Sequence, residues 1–295
     1  MFKFRTDMAA EAQRQHGRDL KGVSLEKTEV FGILSERVVI SDRKSAEILG
    51  KPEGTYTTLD ISSLSDPSGQ NLDNCIRAIA QTFSEYLSPY DLRETVLAVG
   101  LGNRSITSDS FGPDSADRII ATRHLSKTFP EKFGALRPVA VLSPGVLGST
   151  GIESGETVAA LVGSLRPSVC ILLDALASSD HDGLCRSVQI SNTGISPGSG
   201  VANHRFEISQ RTIGVPCISV GIPTVVDAKT LVSSVAQKNG IDESVFSFDV
   251  DEDCFYLTPK DIDRLSRLCT EAVSSGLNMA LQPGLTSEDI DSLLS

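Results

Sequence analysis

The sequence predicts an α/β fold built on a mostly parallel sheet that helices cover on both faces. Apolar runs of strand length alternate with segments of helical periodicity through the centre of the chain. Continuous apolar strands of this kind are typical of parallel sheets that are buried on both faces. The 295 residues are 40% hydrophobic and 22% charged, which is a globular composition with enough chain to bury a large core.

The N-terminal part predicts a short helix followed by β elements. Thr6 is a plausible helix cap, with Glu11 in the early turns. Residues 29–41 alternate enough to indicate a strand or a hairpin, and residues 51–61 indicate a turn followed by a strand. Residues 62–71, which are rich in Ser and include Pro67 and Gly69, are expected to form a loop.

The central part supplies the alternating strands and helices. Apolar runs predict strands within residues 95–102, 137–148, 168–177 and 215–223. Apolar residues at helical spacing predict helices over residues 72–88, 114–129, 154–165 and 226–237.

The end of the chain is predicted to be helical. A long amphipathic helix is expected over residues 258–281, opened by Thr258 and Pro259. A short helix follows, with Thr286 or Ser287 as its cap.

Charge and hydropathy argue against nucleic-acid and membrane partners. The net charge is −11 and the pI is about 4.9, whereas a protein that binds the nucleic-acid backbone needs clustered Lys and Arg. Aromatic residues make up 5% of the chain, so an aromatic platform for single strands is not expected. No apolar run approaches the roughly 20 residues of a membrane span, and no signal peptide is evident. We therefore expect a cytoplasmic protein.

Cysteine and histidine spacing gives no sign of a metal site. The six cysteines form no CxxC pair, and Cys170 and Cys217 lie inside apolar runs, so buried free thiols are expected. The four histidines lack any ligand spacing and are expected at the surface. They are His16, His124, His181 and His204. We expect neither a tightly bound metal nor a cofactor.

Two aspartates that follow predicted strands are the candidate catalytic residues. In open parallel sheets, ligands bind beyond the carboxyl ends of the strands. Asp174 directly follows the apolar run 170–173, and Asp109 lies in the loop after residues 95–102. Two carboxyl groups brought together can share a proton, so that one acts as a base on water and the other as an acid. The residues alone support equally well a structural role for Asp174, as a helix cap or a loop anchor.

Glycine-rich loops follow the same predicted strands and would allow backbone N–H groups to approach a substrate closely. The loops at 144–151 and 194–200 are therefore candidates for stabilising an oxyanion. Their candidate glycines are Gly145, Gly148, Gly151, Gly194, Gly198 and Gly200. The stretch GLGNRS at 100–105 matches a dinucleotide fingerprint only weakly, because Ser105 stands where the third glycine belongs.

Seven stretches of the chain, taken in order, form a specific pattern. They are RTDMAAEA, GLGNRSITSDSFGP, SPGVLGSTGIESGE, LLDALAS, QISNTGISPGSGV, GIPTVVDA, and LTPKDIDRLSR with SGLN. Together, from residue 5 to residue 281, they resemble the germination protease (spore protease) family of endospore-forming bacteria.

The resemblance implies an endopeptidase that degrades the small acid-soluble proteins coating spore DNA early in germination. It implies a fold similar to that of hydrogenase-maturation proteases, and an atypical aspartic protease mechanism with two essential aspartates. By motif position these match Asp109, in TSDSFGP, and Asp174, in LLDALAS. It also implies a homotetramer in the cytoplasm of the forespore or spore core, made as a zymogen.

The opening residues carry a candidate autoprocessing site. The family cuts within a motif like Thr-Glu-(apolar)-Ala-Ser-Glu, and TDMAAE at residues 6–11 is similar to it. The resemblance implies that the chain cleaves itself between Asp7 and Met8. Residues 1–7 would then be a pro-segment, and residues 8–295 a single elaborated peptidase domain.

Two features depart from the family pattern. Only four residues precede Arg5, so zymogen control is expected to be weak. Asn192 and Ser196 stand where relatives are expected to have Asp and His, which puts in doubt any metal or proton-transfer role at that position.

Two other functions fit the same residues. A metal-assisted peptidase of the hydrogenase-maturation type would use Asp109 and Asp174 as ligands, although two carboxylates are few for a typical site. A catalytically silent spore protein of the same fold would bind or store rather than cut. Dependence of activity on a metal would favour the first, and failure to cleave any small acid-soluble protein would favour the second.

Overall fold

One mixed sheet organises the chain, whose computed structural model describes residues 5–16, 20–66, 69–196, 206–242, 245 and 255–294. The sheet has nine strands in this part of the chain. They are β1 (Val23–Val30), β2 (Ile33–Ile40), β3 (Gly54–Asp60), β4 (Val96–Gly100), β5 (Val139–Leu142), β6 (Val169–Ala177), β7 (Ser187–Ser191), β8 (Cys217–Asp227) and β9 (Tyr256–Leu257). Their order is β1-β2-β3-β7-β8-β6-β4-β5, and β9 pairs with the carboxyl end of β8.

The parallel half of the sheet consists of β5, β4, β6 and β8. Every residue of β4 is buried, as are the first six residues of β6. These strands lie within the four predicted runs, except that β8 continues past residue 223 to Asp227. The predicted α/β class is confirmed, because apolar strands that are covered on both faces pair in parallel here.

The other half of the sheet is antiparallel. Strands β1 and β2 form the predicted hairpin, which begins earlier than expected, at Val23. Its turn residues Phe31 and Gly32 both have positive φ, the combination that a two-residue hairpin turn with the favoured twist requires. Strand β3 follows, as predicted within residues 51–61, so the sequence correctly placed extra β elements near the N-terminus.

Strand β7 joins the two halves and runs antiparallel to both β3 and β8. The chain therefore leaves β7 in the direction opposite to that in which it leaves β6 and β8. The connection from β6 to β7, over residues 178–186, is shorter than the dozen or more residues that a parallel crossover needs.

Helices cover both faces of the sheet, as predicted. In the described residues they are α1 (Ala9–His16), α2 (Arg43–Leu49), α3 (Gly69–Leu87), α4 (Phe111–Ala116), α5 (Arg123–Thr128), α6 (Pro130–Phe133), α7 (Leu147–Thr150), α8 (Ser154–Leu165), α9 (Gln210–Ile213), α10 (Ala228–Lys238), α11 (Ile262–Leu281) and α12 (Ser287–Leu294). Helices α3 and α11 pack on one face, where Phe83 and Val273 join the cluster of Ile171. Helix α8 packs on the opposite face, where Val158 joins the cluster of Leu172.

The single helix predicted over residues 114–129 is wrong. Helix α4 ends at Ala116 and α5 begins only at Arg123. Between them, Asn278 of α11 occupies the backbone groups that a continuous helix would use: its Oδ1 accepts the N–H of Ile120 (3.0 Å) and its Nδ2 donates to the carbonyl of Arg118 (2.8 Å). A tertiary contact thus overrides the local helical periodicity.

Two predicted boundaries also shift. Helix α11 begins at Ile262 rather than at Thr258, whose hydroxyl instead donates to the carbonyl of Thr224 in β8 (2.9 Å). The predicted loop 62–71 contains a 3₁₀ turn over Ser62–Ser65 and the first residues of α3. The predicted cap of α12 is confirmed, because Thr286 Oγ1 accepts the N–H of Asp289 (3.2 Å).

The thiols of the described cysteines are free and buried, as predicted. Burial raises the pKa of Cys185 and of Cys217 to about 12, so both thiols are inert at neutral pH. Cys254 lies outside the described residues. None of the helices in the described part of the chain combines the length and hydropathy of a membrane-spanning segment.

A glycine at the start of α4 sets how closely this helix approaches the sheet. A Cβ atom on Gly112 would lie 2.1 Å from the carbonyl oxygen of Leu101 and 2.4 Å from that of Leu173. We expect Gly112→Ala to lower the free energy of unfolding by roughly 1–3 kcal/mol, because backbone must move to admit the methyl group. Urea denaturation measures this change.

The matched control is Gly163→Ala in α8, where a Cβ atom would meet nothing within 4 Å. This change is expected to leave stability unchanged or to raise it by about 0.5–1 kcal/mol, because alanine favours helix. Equal stability of the two variants would contradict the packing account.

Candidate active site

Asp174 stands at the polar end of an otherwise apolar strand face. Successive residues of a strand face opposite sides of the sheet. In β6, Cys170 and Leu172 belong to the cluster under α8, whereas Leu173 belongs to the cluster under α3 and α11. Asp174 therefore continues the Cys170–Leu172 face, where it is only 6% exposed and its Oδ1 accepts the N–H of Ala175 (3.0 Å).

The neighbouring strands are polar on the same face. Ser191 of β7 pairs with Ser219 of β8, and their hydroxyl oxygens are 2.6 Å apart. Ser191 Oγ also lies 2.9 Å from Thr193 Oγ1. The residue of β8 beside Asp174 is Gly221, where a Cβ atom would lie 2.4 Å from Leu176 Cγ, so the glycine leaves room for the leucine side chain. These hydroxyl groups escaped the sequence analysis, because buried Ser and Thr in strands have no distinctive spacing.

Asp109 reaches the same region from the end of β4. The strand ends at Gly100, the N–H of Leu101 donates to the carbonyl of Leu173 (2.8 Å), and the chain turns at Gly102. Gly102 has a φ of +116°, and a Cβ atom there would lie 2.2 Å from the carbonyl oxygen of Asp109. The glycine therefore permits the close return of the loop.

The loop that carries Asp109 ends in a 3₁₀ turn over Thr107–Asp109. Two hydrogen bonds fix this loop. Asp109 Oδ2 accepts the N–H of Asn103 (2.8 Å). The buried hydroxyl of Thr224 in β8 donates to the carbonyl of Ser108 (2.6 Å). The carboxylate is thus held by the start of its own loop, and the loop is held by β8.

Asp109 and Asp174 line one cavity of about 440 Å³. Its wall also includes Leu101, Gly102 and Gly221, so it opens where β4 ends and where β6 and β8 continue. The structure therefore brings together the two carboxylates that the sequence singled out. A pair of carboxyl groups in one cavity has the components for general acid and general base catalysis.

The N-terminal segment borders this cavity. Asp7 lines it, and pairs with β6 through two hydrogen bonds: its N–H donates to the carbonyl of Ala177 (2.8 Å), and its Oδ2 accepts the N–H of Ala177 (2.9 Å). Met8 is buried, and its N–H donates to Thr6 Oγ1 (3.0 Å). The predicted helix follows as α1, with the Thr6 hydroxyl donating to Glu11 Oε2 (2.6 Å).

Lys51 is a charged residue of the cavity wall that sequence reasoning missed. Its side chain is 13% exposed, and its Nζ lies 3.8 Å from Asp7 Oδ1. Burial lowers the pKa of Lys51, while the nearby carboxylates of Asp7 and Glu11 act in the opposite direction. In the sequence Lys51 stands in the turn GKPEG, where a lysine is ordinarily solvated, so no signal marked it.

The family model described as germination protease matches residues 4–238. The germination protease of Clostridium perfringens (strain ATCC 13124) is 35% identical, over an alignment that covers 100% of both chains. That of Caldanaerobacter subterraneus subsp. tengcongensis is 38% identical, with 98% of each chain covered. The chain belongs to the germination protease family. It is therefore a member of a peptidase family, as the motif resemblance indicated.

A solved structure shows a more distant similarity to this germination protease family member. The [NiFe] hydrogenase maturation protease HycI from Thermococcus kodakarensis KOD1 matches with a TM-score of 0.35 and 16% sequence identity. The match covers 65% of this chain and 98% of that one.

The candidate glycines are distributed unevenly around the site of this family member. Gly194 lines the cavity, together with Ser196. The other three described glycines lie outside its lining. Of these, Gly145 is linked to the lining through Ser154, whose Oγ donates to the carbonyl of Gly145 (2.8 Å). These three are Gly145, Gly148 and Gly151. Gly198 and Gly200 lie outside the described residues.

Potential metal ligands gather elsewhere in the described part of the chain. Its single cluster of three such side chains is Asp180, His181 and Asp182, in a turn after β6. Lys238 already pairs with this cluster, with its Nζ 2.7 Å from Asp180 Oδ2. His16 and His124 are exposed, as is His181, in agreement with the sequence analysis, and His204 lies outside the described residues.

The Thr224 hydroxyl is expected to hold the Asp109 loop in place. We expect Thr224→Val to lower the free energy of unfolding by about 1–3 kcal/mol, because it leaves the carbonyl of Ser108 without its buried donor. Thr224→Ser keeps the hydroxyl and should lose less. Thermal and urea denaturation of the two variants test this, and equal losses would show that the methyl group rather than the hydroxyl matters.

Proposed function

We propose that this chain is an endopeptidase of atypical aspartic type, in which Asp109 and Asp174 together activate water. The supporting observation is that the two carboxylates, one from the loop after β4 and the other from β6, line one cavity. Membership of the germination protease family supports peptide hydrolysis as the chemistry. The Asp109 loop is also held by hydrogen bonds, which suits a group that must keep its position.

The proposed substrates are the small acid-soluble proteins of the spore, cut as germination begins. The name of the relatives supports the stage at which the enzyme acts, and the motif resemblance supports the substrate class. The same resemblance supports a homotetramer that works in the cytoplasm of the forespore and spore core. The net charge of −11 argues against direct contact of the enzyme with the phosphates of DNA.

The proposed reaction is direct attack of water on the scissile carbonyl. One carboxylate removes a proton from the water, and the resulting C–O bond forms while the carbonyl electrons move to oxygen. The other carboxyl group, which carries a proton, donates it to the leaving nitrogen as the C–N bond breaks. The N–H of Ile195 already donates to the carbonyl of Ile208 (2.9 Å). The candidate oxyanion donors in this part of the cavity lining are therefore the N–H groups of Gly194 and Ser196.

The first test is the replacement of either carboxylate. Asp109→Asn and Asp174→Asn should each lower kcat/KM on a small acid-soluble spore protein by about 10²–10⁴-fold, because each removes one partner of the proton transfer. The control is Asp73→Asn in α3, whose exposed carboxylate pairs with Arg77, and its activity should be unchanged. Normal rates in either cavity variant would refute the paired mechanism.

Treatment with a chelator separates the paired mechanism from a metal-assisted one. The proposed enzyme keeps its activity after chelation. Activity that vanishes with the chelator and returns with one added metal would favour the metal-assisted peptidase, with Asp109 and Asp174 as ligands. A wild-type protein that cuts no small acid-soluble protein would be a silent relative.

We further propose that the enzyme processes itself between Asp7 and Met8. The contacts of this amide support the proposal: Asp7 borders the cavity, and its carbonyl oxygen accepts a hydrogen bond from Gln189 Nε2 (3.1 Å). Ala177, which holds Asp7, lies three residues beyond Asp174, or about 10 Å along the strand. The segment must therefore slide along β6, or be cut by another copy of the chain.

Intact mass before and after incubation at mildly acidic pH tests this proposal. Wild type should lose residues 1–7, whereas Asp109→Asn should keep its full mass, because cleavage needs the catalytic carboxylate. A rate that rises with protein concentration would assign the cut to another copy. Loss of the segment from both proteins would point to a contaminating protease, and loss from neither would contradict self-processing.

A further inference from the structure

The N-terminal residues 6–11 lie in a binding site formed by Lys51, Ala177, Ser178, Ser179 and Gln189, here called the cradle. Two of its contacts hold the bound backbone. The N–H of Asp7 donates to the carbonyl of Ala177 (2.8 Å). The Gln189 amide spans the next peptide units, since it donates to the carbonyl of Asp7 (3.1 Å) and accepts the N–H of Ala9 (2.7 Å). Contacts of this kind accept any peptide backbone.

The first side-chain position of the cradle is built for an acid. Asp7 Oδ2 accepts the N–H of Ala177 (2.9 Å), and Asp7 Oδ1 faces Lys51 Nζ at 3.8 Å. Both side chains are largely buried, at 17% and 13% exposure respectively. A neutral side chain in place of Asp7 would leave the Lys51 ammonium desolvated without its partner. The cradle therefore discriminates by charge at this position.

The next three positions favour an apolar residue and two small ones. Met8, Ala9 and Ala10 are all buried, and the two alanines pack in the cluster that holds Val38 and Tyr56. Larger side chains at the alanine positions would overpack this cluster.

The fifth position is built for a second acid. Glu11 Oε2 accepts the N–H of Ser179 (2.7 Å) and its hydroxyl (2.8 Å), and Glu11 Oε1 accepts the hydroxyl of Ser178 (2.7 Å). Glu11 thus accepts three short hydrogen bonds, one of them from a backbone N–H. Such a set of donors matches a carboxylate better than an amide, because the NH₂ group of an amide would face donors instead of acceptors.

The cradle adjoins the candidate catalytic pair. Lys51, Ala177 and Gln189 line the same cavity as Asp109 and Asp174. A peptide held by the cradle is thus delivered to the edge of the space in which the two carboxylates lie.

We propose that the cradle is the substrate-recognition subsite of the enzyme, that residues 6–11 occupy the place of a substrate segment, and that Lys51 is its specificity-determining residue. A substrate segment with an acid, an apolar residue, two small residues and a second acid displaces residues 6–11. This inference rests on the proposed peptidase function. It assigns the choice of substrate to Lys51 and to the Ser178–Ser179 pair.

A charge swap at Lys51 tests the assignment by kinetics. Two peptides are compared that contain TDMAAE or TKMAAE in an otherwise identical sequence. Wild type should prefer the aspartate peptide by roughly 30-fold or more in kcat/KM. The reason is that the ammonium group of the lysine peptide would lie against the buried ammonium group of Lys51, and the two would repel each other. Lys51→Glu should reverse the preference. The matched control is Lys44→Glu, the same change at an exposed lysine of α2, which should keep the wild-type preference.

A binding measurement separates recognition from catalysis. Fluorescein-labelled versions of both peptides are titrated into full-length Asp109→Asn, with and without Lys51→Glu, and followed by fluorescence anisotropy. The aspartate peptide should bind more tightly to the first protein and the lysine peptide to the second. Such a reversal without cleavage by wild type would support the cradle while refuting the peptidase.

The remaining outcomes decide against the assignment. Cleavage by wild type with a preference that Lys51→Glu leaves unchanged would overturn the role of Lys51 and leave the peptidase intact. Absence of binding by either peptide, even at millimolar concentration, would show that the cradle anchors only the chain's own segment. If Lys51→Glu does not fold, Lys51→Gln serves instead, and it must lose the preference for the acid; an unchanged preference there also overturns the inference.

Discussion

The unequal reach of β4 and β6 is the constraint on which the candidate site depends. Strand β4 accompanies β6 only as far as Leu173, whereas β8 accompanies it to Ala177. Beyond Leu173, one edge of β6 is therefore still hydrogen-bonded to β8, whereas its other edge borders the cavity. The same mismatch places Asp174 in the cavity wall and leaves Ala177 to pair with Asp7.

Close packing of backbone segments fixes the position of the loop that follows β4. Because β4 ends early, its loop must turn back over the sheet, and Gly102 and Gly112 permit the approach at distances that no side chain would allow. Thr224 then fixes the loop from β8, a strand that is buried along nearly its whole length. The position of Asp109 thus depends on a buried strand, as the catalytic role proposed for it requires.

The N-terminal segment links the fold to the proposed recognition of substrate. It contributes Ala9 and Ala10 to a cluster on the antiparallel half of the sheet, and Asp7 to a charge pair at the cavity. Burial of Lys51 is costly for its charge, and the two carboxylates of the segment offset part of that cost. On this account a single set of groups would recognise both the chain's own pro-segment and its substrates, so that a change at Lys51 alters both.

The sequence by itself determined the features that local pattern and chain order encode. Apolar runs located β4 and β6, the acid at the end of a buried run identified Asp174, and ordered motifs identified the family. Only the tertiary structure decided the direction of β7, the break between α4 and α5 at Asn278, and the burial of Lys51. The physical reason is that these features arise from contacts between residues far apart in the chain, such as the bond between Ile120 and Asn278 across 158 positions. Hydrophobic periodicity shows which face of a segment is buried, but it does not show which distant residue packs or forms a hydrogen bond there.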